Sequence, residues 1–112
     1  MSTTYATEEH APTRAEVDAW IEPSVLEFGT DWCGYCRAAQ PVIGQAFAAY
    51  PAVRRVKVED GKGRKLGRSF SVKLWPTLIF LRNGEEVARL VRPQDAAAVE
   101  QALARLDAAP AA

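Results

Sequence analysis

Cys33 and Cys36, separated by two residues, constrain this chain more than any other feature of its sequence. They are the only cysteines among 112 residues, and they stand between an apolar strand-like run, 24–29, and a helix-like run, 33–50. A cysteine at the first turn of a helix faces unpaired backbone N–H groups and the positive end of the helix dipole, which favour a thiolate. We therefore expect the Cys33 sulfur to lie bare at a helix tip. Because a thiolate attacks disulfides, this placement predicts thiol–disulfide exchange.

The composition argues against several classes of partner. The 112 residues suit one domain, and 14 basic and 14 acidic side chains give a formal net charge of zero. A nucleic acid or an anionic membrane would call for a basic surface, so we expect neither as a partner. No apolar run approaches the roughly 18 residues of a membrane-spanning helix, and the N-terminus lacks the pattern of a secretory signal. We expect a cytoplasmic monomer with a flexible arm at 1–12, one domain at 13–107 and a tail at 108–112.

A structural disulfide and half of a zinc site are the alternatives for the cysteine pair. In a reducing compartment a lone pair is more often catalytic or metal-binding than structural. Zinc usually takes four ligands, and the chain offers one histidine, His10, in the N-terminal segment. We therefore expect redox exchange, with no metal and no bound cofactor.

Hydrophobic periodicity and turn residues predict elements in the order α-β-α-β-α-β-β-α. Thr13 and Glu16 fit a capping box at the start of the first helix, and Asn83-Gly84 is typical of a two-residue hairpin turn. The predicted ranges are helices at 14–21, 33–50, 64–70 and 94–106, and strands at 24–29, 53–59, 77–82 and 86–91.

These elements predict an α/β fold. The segment from 24 to 59 reads as strand–helix–strand, which requires a right-handed crossover between parallel strands. The hairpin turn adds an antiparallel pair. A central mixed four-stranded sheet with helices on both faces satisfies both connections. A C-x-x-C pair beside such a unit is typical of a redox motif.

From about Ser24 to Leu106 the sequence resembles the thioredoxin family. The resemblance rests on motifs in the order that the family has, namely Phe28, Trp32-Cys33-Gly34-Tyr35-Cys36, Pro41, Trp75-Pro76-Thr77 and Asn83-Gly84. It implies a thioredoxin-like fold and a thiol–disulfide oxidoreductase that acts on protein disulfides. It also implies a reductase enzyme or glutathione as the electron donor.

The resemblance further implies a role for each matching residue. Cys33 corresponds to the nucleophilic cysteine, Cys36 to the resolving cysteine, and Glu27 to the buried acid beneath the disulfide. Pro76 corresponds to the cis-proline beside which a substrate chain binds. The residues expected to bind substrate are Trp32, Gly34, Tyr35, Trp75 and Pro76.

Four features depart from the family pattern. Tyr35 replaces a proline, Glu27 is one methylene longer than the usual aspartate, and Trp75 is bulkier than the usual aliphatic residue. Arg92-Pro93 stands where the family commonly has a glycine-containing turn. The resolving cysteine needs a base, and Glu27 is the candidate, because a desolvated carboxyl suits proton shuttling. Arg55 or Lys57 on the next strand could pair with this carboxyl, and the sequence does not decide between them.

Three functions are compatible with these features. The first is a protein-disulfide reductase, which we predict. The second is an isomerase-like or oxidant-leaning thiol–disulfide enzyme with few partners, which Tyr35 and Trp75 favour. The third is a redox-inert binding module that keeps the fold as a scaffold, which the intact cysteine pair disfavours.

Overall fold

The computed structural model describes residues 4–107 of the chain. These residues form a mixed four-stranded sheet flanked by helices. The helices are α1 (Arg14–Asp18), α2 (Gly34–Phe47), α3 (Lys65–Ser69) and α4 (Ala96–Asp107), and the strands are β1 (Ser24–Gly29), β2 (Arg54–Glu59), β3 (Thr77–Arg82) and β4 (Glu85–Val91). The predicted order of elements is confirmed, and the helices are shorter than predicted. The tail predicted at 108–112 lies outside the described residues.

The strands lie in the order β2-β1-β3-β4. β1 and β2 are parallel and are connected through α2, whereas β3 is antiparallel to both β1 and β4. Asn83 and Gly84 connect β3 to β4 with φ angles of 52° and 76°, the positive values that a tight hairpin requires. The predicted mixed sheet is therefore confirmed, and the cysteine helix follows a central strand.

Each face of β1 supports its own core, because side chains alternate between the two faces of a strand. Val25 packs on one face with α2 and α4, where it joins Ile43. Leu26 packs on the other face, where Val17 of α1 and residues of α3 cover it. Glu27 shares the face of Val25, so its carboxylate reaches the helix that carries the cysteines.

Residues 4–6 are not part of the loosely attached arm that the sequence predicts. Ala6 bridges the outer edge of β2, where its N–H donates to the Lys57 carbonyl at 2.9 Å and its carbonyl accepts from the Glu59 N–H at 2.8 Å. Tyr5 is only 5% exposed. The prediction is wrong here because the polar composition of the segment concealed one aromatic side chain that is buried beside the cysteines.

Candidate active site

The two cysteines lie at the N-terminal end of α2 as free thiols. Cys33 is the N-cap, and its Sγ accepts a hydrogen bond from the Cys36 backbone N–H at 3.2 Å. Cys33 is 7% exposed and Cys36 is 1% exposed, so the expected order of accessibility is confirmed. The expectation of a bare Cys33 sulfur is wrong, because Cys33 is buried and Trp75 packs against the cluster that it forms with Cys36 and Tyr5.

Burial keeps the Cys36 thiol protonated. Desolvation and the hydrogen bond to Cys33 raise the pKa of Cys36 from its ordinary value of 9.0 to about 12, and contacts with the Thr30 backbone and the Tyr5 hydroxyl offset only part of this rise. At neutral pH Cys36 is therefore a neutral thiol. It becomes a nucleophile only when a neighbouring group accepts its proton.

We expect the reduced protein to lose stability in alkaline solution. Below pH 9 the Cys36 thiol is protonated in the folded and unfolded states alike, whereas between pH 9 and about 12 only the unfolded chain ionises there. The free energy of unfolding should fall over this window by at most about 1.4 kcal/mol per pH unit. Denaturant titrations at several pH values would measure the decline. An equal decline in a Cys36→Ala variant would contradict this origin.

The carboxylate of Glu27 is fully buried beneath the cysteines and binds donors from several elements. Arg55 on β2 donates to Oε1 through Nε at 2.8 Å, and its Nη2 lies 2.7 Å from the same oxygen in an ion pair. The Tyr5 hydroxyl and the Gln40 amide donate to Oε2 at 2.7 Å and 2.8 Å. Arg55 is therefore an ion-pair partner of Glu27, and Lys57 lies near enough for the Glu27 charge to act on it.

Gln40 connects this carboxylate to the cysteine helix. Its Nε2 donates to Glu27, to the Cys36 carbonyl at 2.9 Å and, at 3.3 Å, to the Tyr5 hydroxyl. Its Oε1 accepts from Arg55 at 2.9 Å and from Lys57 at 2.8 Å. The sequence analysis missed Gln40, although its position four residues after Cys36 places both on one face of the helix.

Gly29 lets the Tyr5 hydroxyl and the Cys36 thiol meet. A Cβ at this position would lie 2.5 Å from Cys36 Sγ and 2.9 Å from Tyr5 Oη, closer than real Cβ atoms approach their neighbours. The space that a side chain would fill is occupied by these two groups, which belong to one buried cluster. The sequence analysis missed both Gly29 and Tyr5.

An aromatic surface surrounds the tip of Cys33. Trp32 is 72% exposed and Tyr35 is 62% exposed, so both present apolar area to solvent. The Trp75 ring meets the Trp32 ring edge to face, with centroids 5.8 Å apart. The Trp75–Pro76 peptide bond is cis, and Gly34, the first residue of α2, is exposed. All five residues expected to bind substrate therefore lie in the segments around the cysteines.

Hydrogen bonds anchor Trp75 from two sides. Its Nε1 donates to the carboxylate of Asp60 at 2.9 Å, and its carbonyl accepts from Arg92 Nε at 2.8 Å. The Arg92 guanidinium also stacks over the Tyr35 ring, 3.8 Å from the centroid. Arg92 has a φ of 51°, a left-handed conformation that is uncommon for a residue with a side chain. These contacts fix Trp75 relative to the helix tip.

A cleft of about 320 Å³ opens beside Cys36. Its lining residues are Tyr5, Thr30, Asp31, Cys36, Arg37, Gln40 and Lys57. Within residues 4–107, no group of three or more His, Cys, Asp or Glu side chains is arranged to hold a metal ion. No helix in the same stretch has the length and apolar character to cross a membrane.

A mixed sheet with a cysteine pair at the start of the helix after a central strand is the arrangement typical of a thioredoxin-like redox domain. The family model described as thioredoxin matches residues 5–105, and the chain belongs to the thioredoxin family. The fold and family that the sequence predicts are both confirmed.

Solved and curated relatives agree with this membership. The structure of reduced thioredoxin 2 from Pseudomonas aeruginosa PAO1 is 56% identical, covers 95% of this chain and 96% of that one, and superposes with a TM-score of 0.83. Thioredoxin from Chlamydia pneumoniae is 34% identical over 71 residues, which are 63% of this chain and 70% of that protein. Thioredoxin H5 from Oryza sativa subsp. japonica is 34% identical over 79 residues, 70% of this chain and 58% of that protein. For several curated relatives the matched stretch spans between 49% and 64% of their length.

Proposed function

We propose that this protein reduces disulfides of other proteins by dithiol–disulfide exchange. The Cys33 thiolate attacks one sulfur of the partner disulfide, the other partner sulfur leaves as a thiolate, and a mixed disulfide forms. Cys36 then attacks Cys33 Sγ, which releases the second partner thiolate and leaves a Cys33–Cys36 disulfide. Two electrons thus pass to the partner. The observation that carries this proposal is the reduced pair at the helix tip, with Cys36 hydrogen-bonded to Cys33 Sγ.

The second step requires a base, and we assign that role to Glu27. Its carboxylate is buried on the side of β1 that faces α2, and Tyr5 binds this carboxylate and packs in one buried cluster with Cys36. A base held in place within a desolvated site accepts a proton without waiting for solvent to reorganise. Glu27 therefore offers a destination for the proton that Cys36 must lose.

The proposed partners are proteins that present an apolar segment beside their disulfide. Trp32, Tyr35 and Trp75 supply exposed or half-exposed aromatic area around Cys33, and such area recognises apolar partners. Gly34 and Pro76 would let a partner chain approach the sulfur closely. We further propose a reductase enzyme or glutathione as the electron donor, a reducing cytoplasmic setting and a monomeric protein.

We expect the protein to accelerate the reduction of insulin by dithiothreitol, because Cys33 would pass electrons to the insulin disulfides. Turbidity from the released B chain measures the rate. Protein alkylated with iodoacetamide before the assay is the control and should give only the background rate. A wild-type rate equal to that background would leave the redox-inert scaffold as the better reading. Regeneration by thioredoxin reductase would favour the general reductase, and regeneration only by glutathione would favour the isomerase-like alternative.

A further inference from the structure

Tyr5 stands between the buried carboxylate and the resolving thiol. Its hydroxyl donates to Glu27 Oε2 at 2.7 Å, and its side chain packs in one buried cluster with Cys36. The ring is almost completely buried, and the N-terminal segment is held in place where Ala6 bridges β2. Without a side chain at Gly29, oxygen and sulfur lie next to each other.

The hydroxyl of Tyr5 has the chemistry needed to pass a proton. It carries one hydrogen, which it donates to Glu27, and its oxygen keeps lone pairs that can accept a hydrogen from a thiol. Desolvation and the nearby Glu27 charge raise the pKa of Tyr5 far above its ordinary value of 10.0. The side chain is therefore a neutral phenol at any working pH, and it can accept one proton only while it gives up the other.

We propose that Tyr5 relays the Cys36 proton to Glu27, an inference that rests on the proposed exchange function. The S–H proton of Cys36 moves to Tyr5 Oη while the Tyr5 hydroxyl proton moves to Glu27 Oε2. The electron pair freed on Cys36 Sγ attacks Cys33 Sγ. The bond between Cys33 and the partner sulfur breaks, and the partner leaves as a thiolate. The phenol is regenerated, and Glu27 ends the step protonated.

The groups around Tyr5 support this direction of transfer. The titratable or charged groups that face it are Glu27 from β1, Asp31 from the loop before α2, Cys33 and Cys36 from the start of α2, and Lys57 from β2. Arg55 from β2 reaches the same site through the Glu27 carboxylate. Arg55 occupies Oε1 and leaves Oε2 to Tyr5 and Gln40. Gln40 also donates to Tyr5 Oη at 3.3 Å, and Lys57 Nζ lies 4.5 Å from the ring centroid. Both contacts stabilise negative charge that develops on the oxygen.

Tyr5→Phe tests the relay because it keeps the buried ring and removes only the hydroxyl. Mixing the reduced protein with the aromatic disulfide dithiobis(nitrobenzoate) should release two coloured thiolates. The first reports attack by Cys33 and the second reports resolution by Cys36. In Tyr5→Phe the second release should slow by at least about tenfold near neutral pH, and the first should not change. Raising the pH should restore the second rate, because hydroxide then removes the Cys36 proton directly.

Two matched variants separate a relay from a packing effect. Tyr50→Phe removes a hydroxyl from a half-buried tyrosine that packs against the core of Val25 and Ile43, outside the cluster of Tyr5 and the cysteines, and should resolve like the wild type. Tyr5→Phe combined with Glu27→Gln should be no slower than Glu27→Gln alone, because both substitutions interrupt one path.

The outcomes distinguish the relay from the exchange function itself. An unchanged second release with an unchanged pH profile in Tyr5→Phe would overturn the relay and leave the exchange function standing. Fully additive rate losses in the double variant would overturn the relay as well. Failure of the wild type to release either thiolate would overturn the exchange function, and the relay with it.

Discussion

Replacing Cys36 with serine should convert the protein from a turnover catalyst into a trap. Cys33 would still attack a partner disulfide, but no thiol would remain to resolve the mixed disulfide. Insulin reduction should fall by at least about 10³-fold, since loss of one member of a catalytic unit removes most of its rate enhancement. Non-reducing electrophoresis and mass spectrometry should show one insulin chain linked to Cys33.

Cys33→Ser is the matched control for this trap. It should lose turnover to the same extent and yet form no adduct, because Cys36 is 1% exposed and its thiol is protonated at neutral pH. A stable adduct on Cys36 in the Cys33→Ser variant would contradict the assignment of nucleophile and resolving thiol. The two serine variants thus test the roles that the difference in burial supports.

Adding one methyl group at Gly29 should both destabilise the protein and slow resolution. The new Cβ would lie 2.5 Å from Cys36 Sγ and 2.9 Å from Tyr5 Oη. Both side chains are buried, so neither can move away without disturbing its neighbours. Overpacking a filled core costs about 1–3 kcal/mol of unfolding free energy. Because the methyl group would separate oxygen from sulfur, the second thiolate release should slow as well. Denaturant titration and the thiolate-release assay measure the two effects.

Gly44→Ala provides a control of opposite sign. Gly44 lies within α2, and a Cβ there would meet nothing within 4 Å. Alanine at an open helical position should raise the unfolding free energy by about 0.5–1 kcal/mol and leave thiol chemistry unchanged. If Gly29→Ala and Gly44→Ala had the same effect on stability, the close contact described at Gly29 would be wrong.

The structural features that depend on residues close together in the chain could be predicted from the sequence. The bounds of β3, Thr77–Arg82, match the predicted run, because a strand with five consecutive buried residues followed by Asn83-Gly84 has few other arrangements. The capping box of Thr13 and Glu16 is also present, because both partners lie within one turn. The cysteine pair belongs to this group, since its position between the apolar run of β1 and the helical run after it places both thiols at the start of α2.

The hydrogen-bond network beneath the cysteines depends on tertiary distances that the sequence does not express. Tyr5 bonds to Glu27 across 22 residues, and an isolated aromatic in a polar segment was the only local sign of this contact. Arg55 and Lys57 are two residues apart on β2, so both point to the same face of the sheet. Alternation therefore could not assign the ion pair. In the structure Arg55 forms the ion pair with Glu27, and both cations also donate to the side-chain oxygen of Gln40.

The attachment of Ala6 to β2 also affects how copies of this protein meet one another. β2 and β4 are the two outer strands of the sheet, and unpaired backbone groups on such strands invite polymerisation. Ala6 occupies backbone groups of Lys57 and Glu59 on the first of these edges. The second edge carries the ion pair of Glu86 and Arg89 and an irregular register opposite β3. Both edge strands are thereby protected from pairing with the sheet of another molecule, which disfavours aggregation at high protein concentration.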